Sequence, residues 1–597
     1  MKTENLAEKE VIIKELVNAG INVTPSILDF IANLDDPLKK VKLIIKNVSF
    51  LPNFNSHLTK EILQQISSEE IHKPLKKVLY KEIQSKVIKE KEYKEKNDTD
   101  LQRTLDLIET DEPKLTAFDT SENTMQLKNR LKSQKKSFVF DEIGKDLNQK
   151  PIESTFKAIP SEGSKSTLTF KPLSKDYEFK YDILKDPTGK IYTNGEYEDF
   201  YNLTLDKFNK LRNLMRKRPE VLSPNNINNI LRLTNKVEVS TIGIVNEIRK
   251  TRNGNFFLTL EDLTSIINVI IRKDSENQEN VKIAERTLND QMVYIEGTYN
   301  PGERRKNGII YCNYISKIDI PRDYEPNRSK DPLSIALISD THIGSKEFEE
   351  KLWNRFINFL NGKIGNKNQK ERAGRIKYII INGDLVDGIG VYPQQKSDLI
   401  ISDIYTQFKK ANEILSGIPE YIKVFYSSGN HEPVRNAIPR PAVPKKYSEE
   451  LINSGVICIG NPSVVQTHNV NTLVFHGDSI LDLNMLIPGL ENNRPVETMK
   501  ELLKCRHLAP IYGKKTQIAP TSIDWLVIDK IPDIFHTGHI HINEMGAYNN
   551  ILLTNSGCFQ SQTEFMNSLG IHPTPGIISI VDLDTLKGTQ LDLKNNV

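Results

Sequence analysis

Residues 333–344 read LSIALISDTHIG. The run starts with apolar, β-branched side chains and ends in Asp340, Thr341 and His342. A near-continuous hydrophobic strand marks a sheet covered on both faces. Open α/β folds hold their ligands beyond the carboxyl ends of such strands. There a carboxylate and an imidazole can turn toward one spot. Taken alone, Asp-x-His is also what an ordinary surface turn looks like.

Four further stretches repeat the pattern. YIIINGDLVDG (378–388) is an apolar run followed by Asp384 and Asp387. VFYSSGNHE (424–432) ends in Asn430 and His431, and LVFHGDS (473–479) in His476 and Asp478. IFHTGHIH (534–541) supplies His536, His539 and His541. Each cluster offers carboxylate, amide or imidazole, and none offers a thiolate. Two divalent ions about 3.5–4 Å apart need a bridging carboxylate and neutral ligands, so that their charge is only partly cancelled. Mixed imidazole and carboxylate sets suit Mn, Zn or Fe, whereas an all-oxygen cage suits Mg or Ca. Separate, satisfied polar turns are the competing explanation, but five in succession at strand ends are hard to attribute to chance.

The series DTH, GD with a further Asp three residues on, GNH, HGD and GHIH resembles the calcineurin-like metallophosphoesterase superfamily, with nucleases of the double-strand-break repair type as functional relatives. The resemblance implies that Asp340, His342, Asp384 and His541 hold a first metal. Asp384 would bridge, with Asn430, His476 and His539 completing the second metal. His431 would lie beside the scissile phosphate, protonating the leaving oxygen or stabilising the transition state. Asp387, Asp478 and His536 are expected to support these ligands rather than bind metal.

The 597 residues suffice for roughly three or four domains. A net charge of +3 argues against a histone-like binder but leaves room for a local basic groove. The four cysteines, Cys312, Cys458, Cys505 and Cys558, form no CxxC pair, so neither a zinc ribbon nor a disulfide framework is expected and a reducing cytosol fits. The start, MKTENLAEKEV, carries no apolar signal core, and no apolar stretch reaches the length of about 18 residues that would suggest a span. A cytoplasmic, nucleoid-associated protein without a membrane segment is the expectation.

The expected fold is multidomain α+β. Residues 1–75 read as a small helical domain, with Thr24-Pro25 and Asp36-Pro37 as helix starts and another helix from Leu58 to Ile66. Residues 76–178 are charged and polar and read as a mostly disordered linker. Within them, QKKSFVFD (134–141) suggests a sliding-clamp peptide whose spacing fits poorly. Residues 179–322 read as a helical segment and five strands with a late helix, an OB-fold barrel. Its Arg249, Lys250, Arg252 and Arg304-Arg305-Lys306 could meet nucleic acid, although aromatics are sparse. Residues 323–597 read as the calcineurin-like sandwich, with crossover helices at 352–360 and 401–415. Ile551–Leu553 and Ile577–Leu583 are expected to complete its second sheet. Arg435 and Arg440, on a loop after Glu432, are candidate DNA contacts.

This domain order is similar to that of the small subunits of archaeal D-family DNA polymerases and of eukaryotic B subunits. KDPTGKIYTNGE, LISDTHIGS, INGDLVDGIGVYP, SSGNHEPVR and TGHIHINE favour the archaeal branch. That resemblance implies a heterodimer with a large catalytic polymerase subunit and a 3′→5′ proofreading exonuclease acting on DNA 3′ ends with two divalent ions, Mn²⁺ foremost. The sliding clamp would be a further partner. The rival is a non-catalytic scaffold with a vestigial metal site. A third reading, a small-molecule or protein phosphatase, sits badly with the barrel.

Overall fold

The computed structural model describes residues 2–19, 21–23, 25–48, 57–58, 62–63, 170–274, 277–302 and 308–595. The clamp-like peptide at 134–141 and the basic triplet at 304–306 lie outside them. The chain forms two compact units, Met1–Ile159 and Pro160–Val597.

In the first unit, helices α1 (Lys2–Asn18), α2 (Pro25–Ala32) and α3 (Pro37–Val48) share a core of Ile12, Leu16, Ile27, Ile31, Val41 and Ile44. Proline opens α2 and α3, where its missing N–H and fixed φ suit a first turn. Two-residue strands β1 (Asn22–Val23) and β2 (His57–Leu58) pair in parallel. Leu58, expected to open a helix, lies instead in that pairing, and most of the expected helix to Ile66 falls outside the described residues.

The second unit begins with β3 (Tyr181–Lys185), α4 (Tyr197–Met215) and α5 (Ile227–Leu231). A closed barrel follows: β4 (Val237–Lys250), β5 (Phe256–Glu261), β6 (Ile266–Ile271), helix α6 (Gln278–Glu285), β7 (Met292–Asn300) and β8 (Ile309–Lys317). Its strand order is β4-β5-β6-β8-β7, and alternate residues such as Leu258, Leu260, Val269 and Ile295 fill its interior.

Then come β9 (Ser334–Ile338), α7 (Glu350–Leu360), α8 (Lys367–Arg375), β10 (Ile376–Asn382), α9 (Ile404–Leu415), β11 (Lys423–Ser427), α10 (Lys445–Asn453) and β12 (Ile457–Ile459). After them lie β13 (Ser463–Thr467), β14 (Val470–Val474), α11 (Ile480–Leu486), α12 (Pro495–Cys505) and β15 (Ile534–Thr537). The chain closes with β16 (Glu544–Tyr548), β17 (Ile551–Asn555), α13 (Glu564–Ser568), β18 (Ile577–Asp582) and β19 (Gly588–Asp592). Two six-stranded sheets result, β12-β11-β10-β9-β18-β19 and β16-β17-β15-β14-β13-β3.

The hydrophobic strands explain the layering. In β9, Ile335 and Leu337 point between the sheets, where they meet Ile380, Phe425, Val465, Val474 and Ile534. Ala336 and Ile338 point the other way, onto Trp353, Phe356 and Phe408 of α7 and α9. Beneath the second sheet, Leu473, Phe535 and Leu553 pack on Met499, Leu502 and Leu503 of α12. Both faces of each central strand are covered, so the strands carry no polar alternation.

Two placements differ from expectation. Ile577–Asp582 joins the first sheet, antiparallel to β9 (Ile580 opposite Ala336), not the second. An apolar run announces a strand but not its partner. Tyr181–Lys185, expected with the barrel domain, instead adds an outer strand to the second sheet beside β13. The barrel is clasped to the layers by a buried ionic seam: Glu501 of α12 receives Lys317 at 3.2 Å, Arg286 at 3.2 Å and Lys504 at 2.9 Å. Among the described residues no helix is long and apolar enough to cross a membrane.

Candidate metal centre

The five polar clusters follow β9, β10, β11, β14 and β15, at the same end of both sheets. Backbone bonds lace the loops together: the Asp340 N–H donates to the Gly383 carbonyl (3.0 Å), His342 to Asp384 (2.9 Å) and Gly538 to His476 (2.8 Å). The chain turns sharply there. Asp340, His342, Asp384, His539 and His541 all adopt left-handed backbone, with φ between 50° and 69°. For residues carrying a Cβ this costs roughly 1 kcal/mol or more each, and such strain gathers where a site over-determines it. Glycines supply the close approaches: a methyl group on Gly429 would collide with the Asp384 carboxylate.

The side chains converge. Asp340, His342 and His541 bring ligand atoms within 4.8 Å of one another, and so do Asp384, His476 and His539. Asp384 Oδ2 stands between the sets, 3.3 Å from His476 Nε2 and 3.9 Å from both His342 Nε2 and His431 Nε2. Asn430 Oδ1 lies 3.0 Å from His476 Nε2. His541 Nε2 is 3.4 Å from Asp340 Oδ1 and 3.1 Å from His342 Nε2.

Partners on the far side of each ring decide which nitrogen faces inward. His342 Nδ1 donates to Asp387 Oδ1 (2.9 Å), His476 Nδ1 to the Asn382 carbonyl (2.8 Å) and His431 Nδ1 to the Asp387 carbonyl (2.6 Å). His342 and His476 thus present Nε2 lone pairs to the centre, and His431 turns its Nε2 toward it. Asp340 Oδ1, fully buried, accepts no hydrogen bond of ordinary geometry, with the His541 and His342 imidazoles 3.4 and 4.0 Å away. A buried carboxylate oxygen costs free energy unless something positive meets it. These donors fit two borderline divalent cations.

The electrostatics agree. Burial works against the charged forms of Asp340 and Asp384, but the histidine charges outweigh it: His541 holds Asp340 low, and His476 and His431 hold Asp384 well below the usual carboxylate range. Burial likewise opposes a charged His476, yet the Asp384 carboxylate lifts it to about 10. Burial, aided by the nearby His476 charge, drives His539 down to about 4. Carboxylates kept ionised beside imidazoles that take up protons make a cavity suited to positive charge, which cations can supply in place of protons.

The surrounding residues hold these groups. Gln395 donates to Asp387 Oδ2 (2.9 Å) and Gln560 to Asp387 Oδ1 (3.3 Å). Asp478 accepts from Arg440 (2.5 Å), which offsets burial and holds its carboxyl at about 2. His536 turns to Ser556 Oγ (2.7 Å) and joins neither ligand set, its buried ring held at about 3.

Comparison with known proteins fixes the lineage. Residues 335–544 match the family model for the B subunits of DNA polymerases alpha and epsilon. The chain is 37% identical over 464 residues to the DNA polymerase II small subunit of Pyrococcus horikoshii, covering 76% of this chain and 72% of that one. It is 37% identical to the namesake of Methanothermobacter thermautotrophicus, covering 70% of this chain and 83% of that one. The chain belongs to the DNA polymerase II small subunit family. Membership means that it is one part of a DNA polymerase with a separate catalytic subunit.

For this small subunit the candidate DNA contacts part ways. Arg435 is spent on backbone carbonyls, two bonds to Pro439 (2.9 and 2.6 Å) and one to Ile191 (2.9 Å). Arg440 is buried on Asp478 and the Asn436 carbonyl. On the barrel, Lys250 pairs with Glu285 (3.2 Å) and Arg252 is exposed in the β4–β5 turn. Sequence reasoning passed over Glu432. Its buried carboxylate accepts from the N–H groups of Asp384 (3.0 Å), Leu385 (2.8 Å) and Gly429 (2.6 Å) and from Tyr426 Oη (2.7 Å). It therefore pins two ligand loops together. Burial, reinforced by Asp384, raises its carboxyl to about 7. The signal was its place directly after Asn430-His431.

Proposed function

We propose that this small subunit is itself a phosphodiesterase of the calcineurin-like type, trimming DNA 3′ ends for the large polymerase subunit to which it binds. The observation that carries the reading is the position of Asp384 Oδ2 between two ligand sets, with His431 Nε2 facing it. A scaffold needs no imidazole held at that point. The strand order of the barrel also fits an OB-fold, a common nucleic-acid-binding architecture.

Asp340, His342, Asp384 and His541 would hold one ion, and Asp384, Asn430, His476 and His539 the other. Mn²⁺ is the favoured metal because imidazoles dominate the set. When bound, such a pair supplies charge to grip the scissile phosphate and to acidify attacking water. The protein's own part follows from its geometry. The Asp387 carbonyl fixes the His431 tautomer, so that protonated Nε2 can deliver a proton to the departing 3′-oxygen of the penultimate nucleotide. The His431 N–H, 2.9 Å from Asp384 Oδ1, anchors this histidine to the carboxylate that would bridge the ions. Asp387 steadies both His342 and His431.

The test is a nuclease assay of the purified chain, alone and with its partner. It would use 3′-labelled single-stranded and mismatched DNA across Mn²⁺, Mg²⁺ and Zn²⁺, beside a generic phosphomonoester. DNA trimming that a chelator stops supports the reading. Trimming absent under every metal, with and without the partner, would leave the scaffold.

A further inference from the structure

The two six-stranded sheets have four outer strands, β12, β19, β16 and β3. An outer strand leaves a row of N–H and C=O groups unpaired, a template on which another chain can add. Proteins blunt such edges by keeping them short or polar. β12 has three residues, and none of β12, β16 and β19 exposes a large apolar side chain. β3 differs. It has five residues and pairs with β13 alone, yet Tyr181, Ile183 and Leu184 are 38%, 38% and 44% exposed. Ile183 lies opposite Val465, which is buried between the sheets, and Tyr181 meets Phe425 edge-on at 5.3 Å. Tyr181 and Ile183 thus carry the core between the sheets out to its margin, where it ends uncovered. The register slips between Val464 and Val465, so Leu184 has no residue opposite it. At the start of β3 the edge meets a polar cavity of about 400 Å³, whose lining includes Lys180, Asp182, Lys330, Asp331 and His468. Asp331 is taken by His468 Nδ1 (2.8 Å) and Lys180 (3.5 Å). Lys330 and Asp182 are exposed and form no ion pair among the described residues, so the cavity offers a free ammonium and a free carboxylate.

We propose that the outer edge of β3 receives an extended segment of the large catalytic subunit, added to the second sheet as one more strand. Backbone hydrogen bonds to β3 hold the segment, and side chains select it. The segment is apolar where it passes Tyr181 and Ile183, and polar where it reaches the cavity with Lys330 and Asp182. An apolar edge needs a cover that is present whenever the protein works. The catalytic subunit of its own polymerase is such a cover, because the chain belongs to a family of small subunits. A second copy suits the edge less well. Lys180, Asp182 and Lys185 interrupt the apolar row, and charges spaced in this way discourage identical edges from pairing. The proposal does not depend on the nuclease reading, since a non-catalytic scaffold would dock in the same way.

The test is amide hydrogen exchange of the full chain, alone and with the purified large subunit, read by mass spectrometry. In the complex the peptide spanning residues 181–185 should exchange about tenfold more slowly, because outward amides gain partners. Ile183→Lys and Leu184→Lys each put a charge on the edge. Each should weaken the complex about tenfold, the scale of one apolar side chain left unburied, while the free chain melts as the wild type does. Should a variant fail to fold, exchange in the wild-type complex decides alone. Unchanged exchange at 181–185, in a complex whose mass shows both subunits, would overturn the proposal. So would full affinity in both lysine variants. Slowing that follows the concentration of this chain without its partner would also overturn it, giving the edge to a second copy.

Discussion

At the scale of single residues, the centre depends on groups that cannot be exchanged for near neighbours. His431→Ala should lower DNA trimming by about 10²–10⁴-fold, the usual span for a lost acid, while metal content by elemental analysis stays at the wild-type level. Metal loss would recast His431 as a ligand. Asp384→Asn removes the charge that both ligand sets face, so bound metal should fall at both positions. Glu432→Gln is the less obvious test. Both Glu432 oxygens accept from N–H or O–H donors, and a Gln amide would turn two hydrogens toward those donors. We expect a loss of about 2–3 kcal/mol in stability and weaker metal retention, read by denaturant melts and elemental analysis.

At the scale of elements, the outer strand β3 closes one side of the second sheet through its pairing with β13. A chain beginning at Phe170 should stay soluble and cooperative, whereas one beginning at Ile191 exposes the β13 edge and should aggregate. Static light scattering after a mild heat step checks this. A loop beyond the strands carries a pH signature. Asp524 accepts from His507 Nε2 (3.0 Å) and the Leu526 N–H (2.7 Å); burial opposes its charge, but His507 outweighs that and holds it at about 2. A lowered carboxyl stabilises fully above its unfolded value near 3.9, and the gain is lost as pH falls from there toward 2. Asp524→Asn should therefore flatten the melting temperature against pH in that window. The elements differ in how far the sequence revealed them. The strands before the candidate ligand loops were legible because runs such as IALI and III are buried on both faces. Ile577–Asp582 was legible as a strand but not in its sheet, since pairing partners leave no mark in an apolar run. The left-handed turns were hidden because Asp and His, unlike Gly, do not advertise positive φ. Arg435 was misleading because one of its acceptors, Ile191, lies far away in the chain.

At the scale of the molecule, the barrel and the layered sheets are held by Glu501, 1% exposed and met by three cations. Glu501→Ala would strand the buried Lys317 ammonium, which is about 3 kcal/mol unfavourable when a buried pair is broken. The expected outcome is two melting transitions in calorimetry where the parent should give one for this unit. The left-handed residues at the centre have a longer reach. Side-chain-bearing positions twisted this way persist only while something rewards them. A lineage that stopped using its ions would be free to relax, and its first drift should be toward glycine or asparagine at Asp340, His342, Asp384, His539 and His541. The backbone of this chain coils leftward at all five.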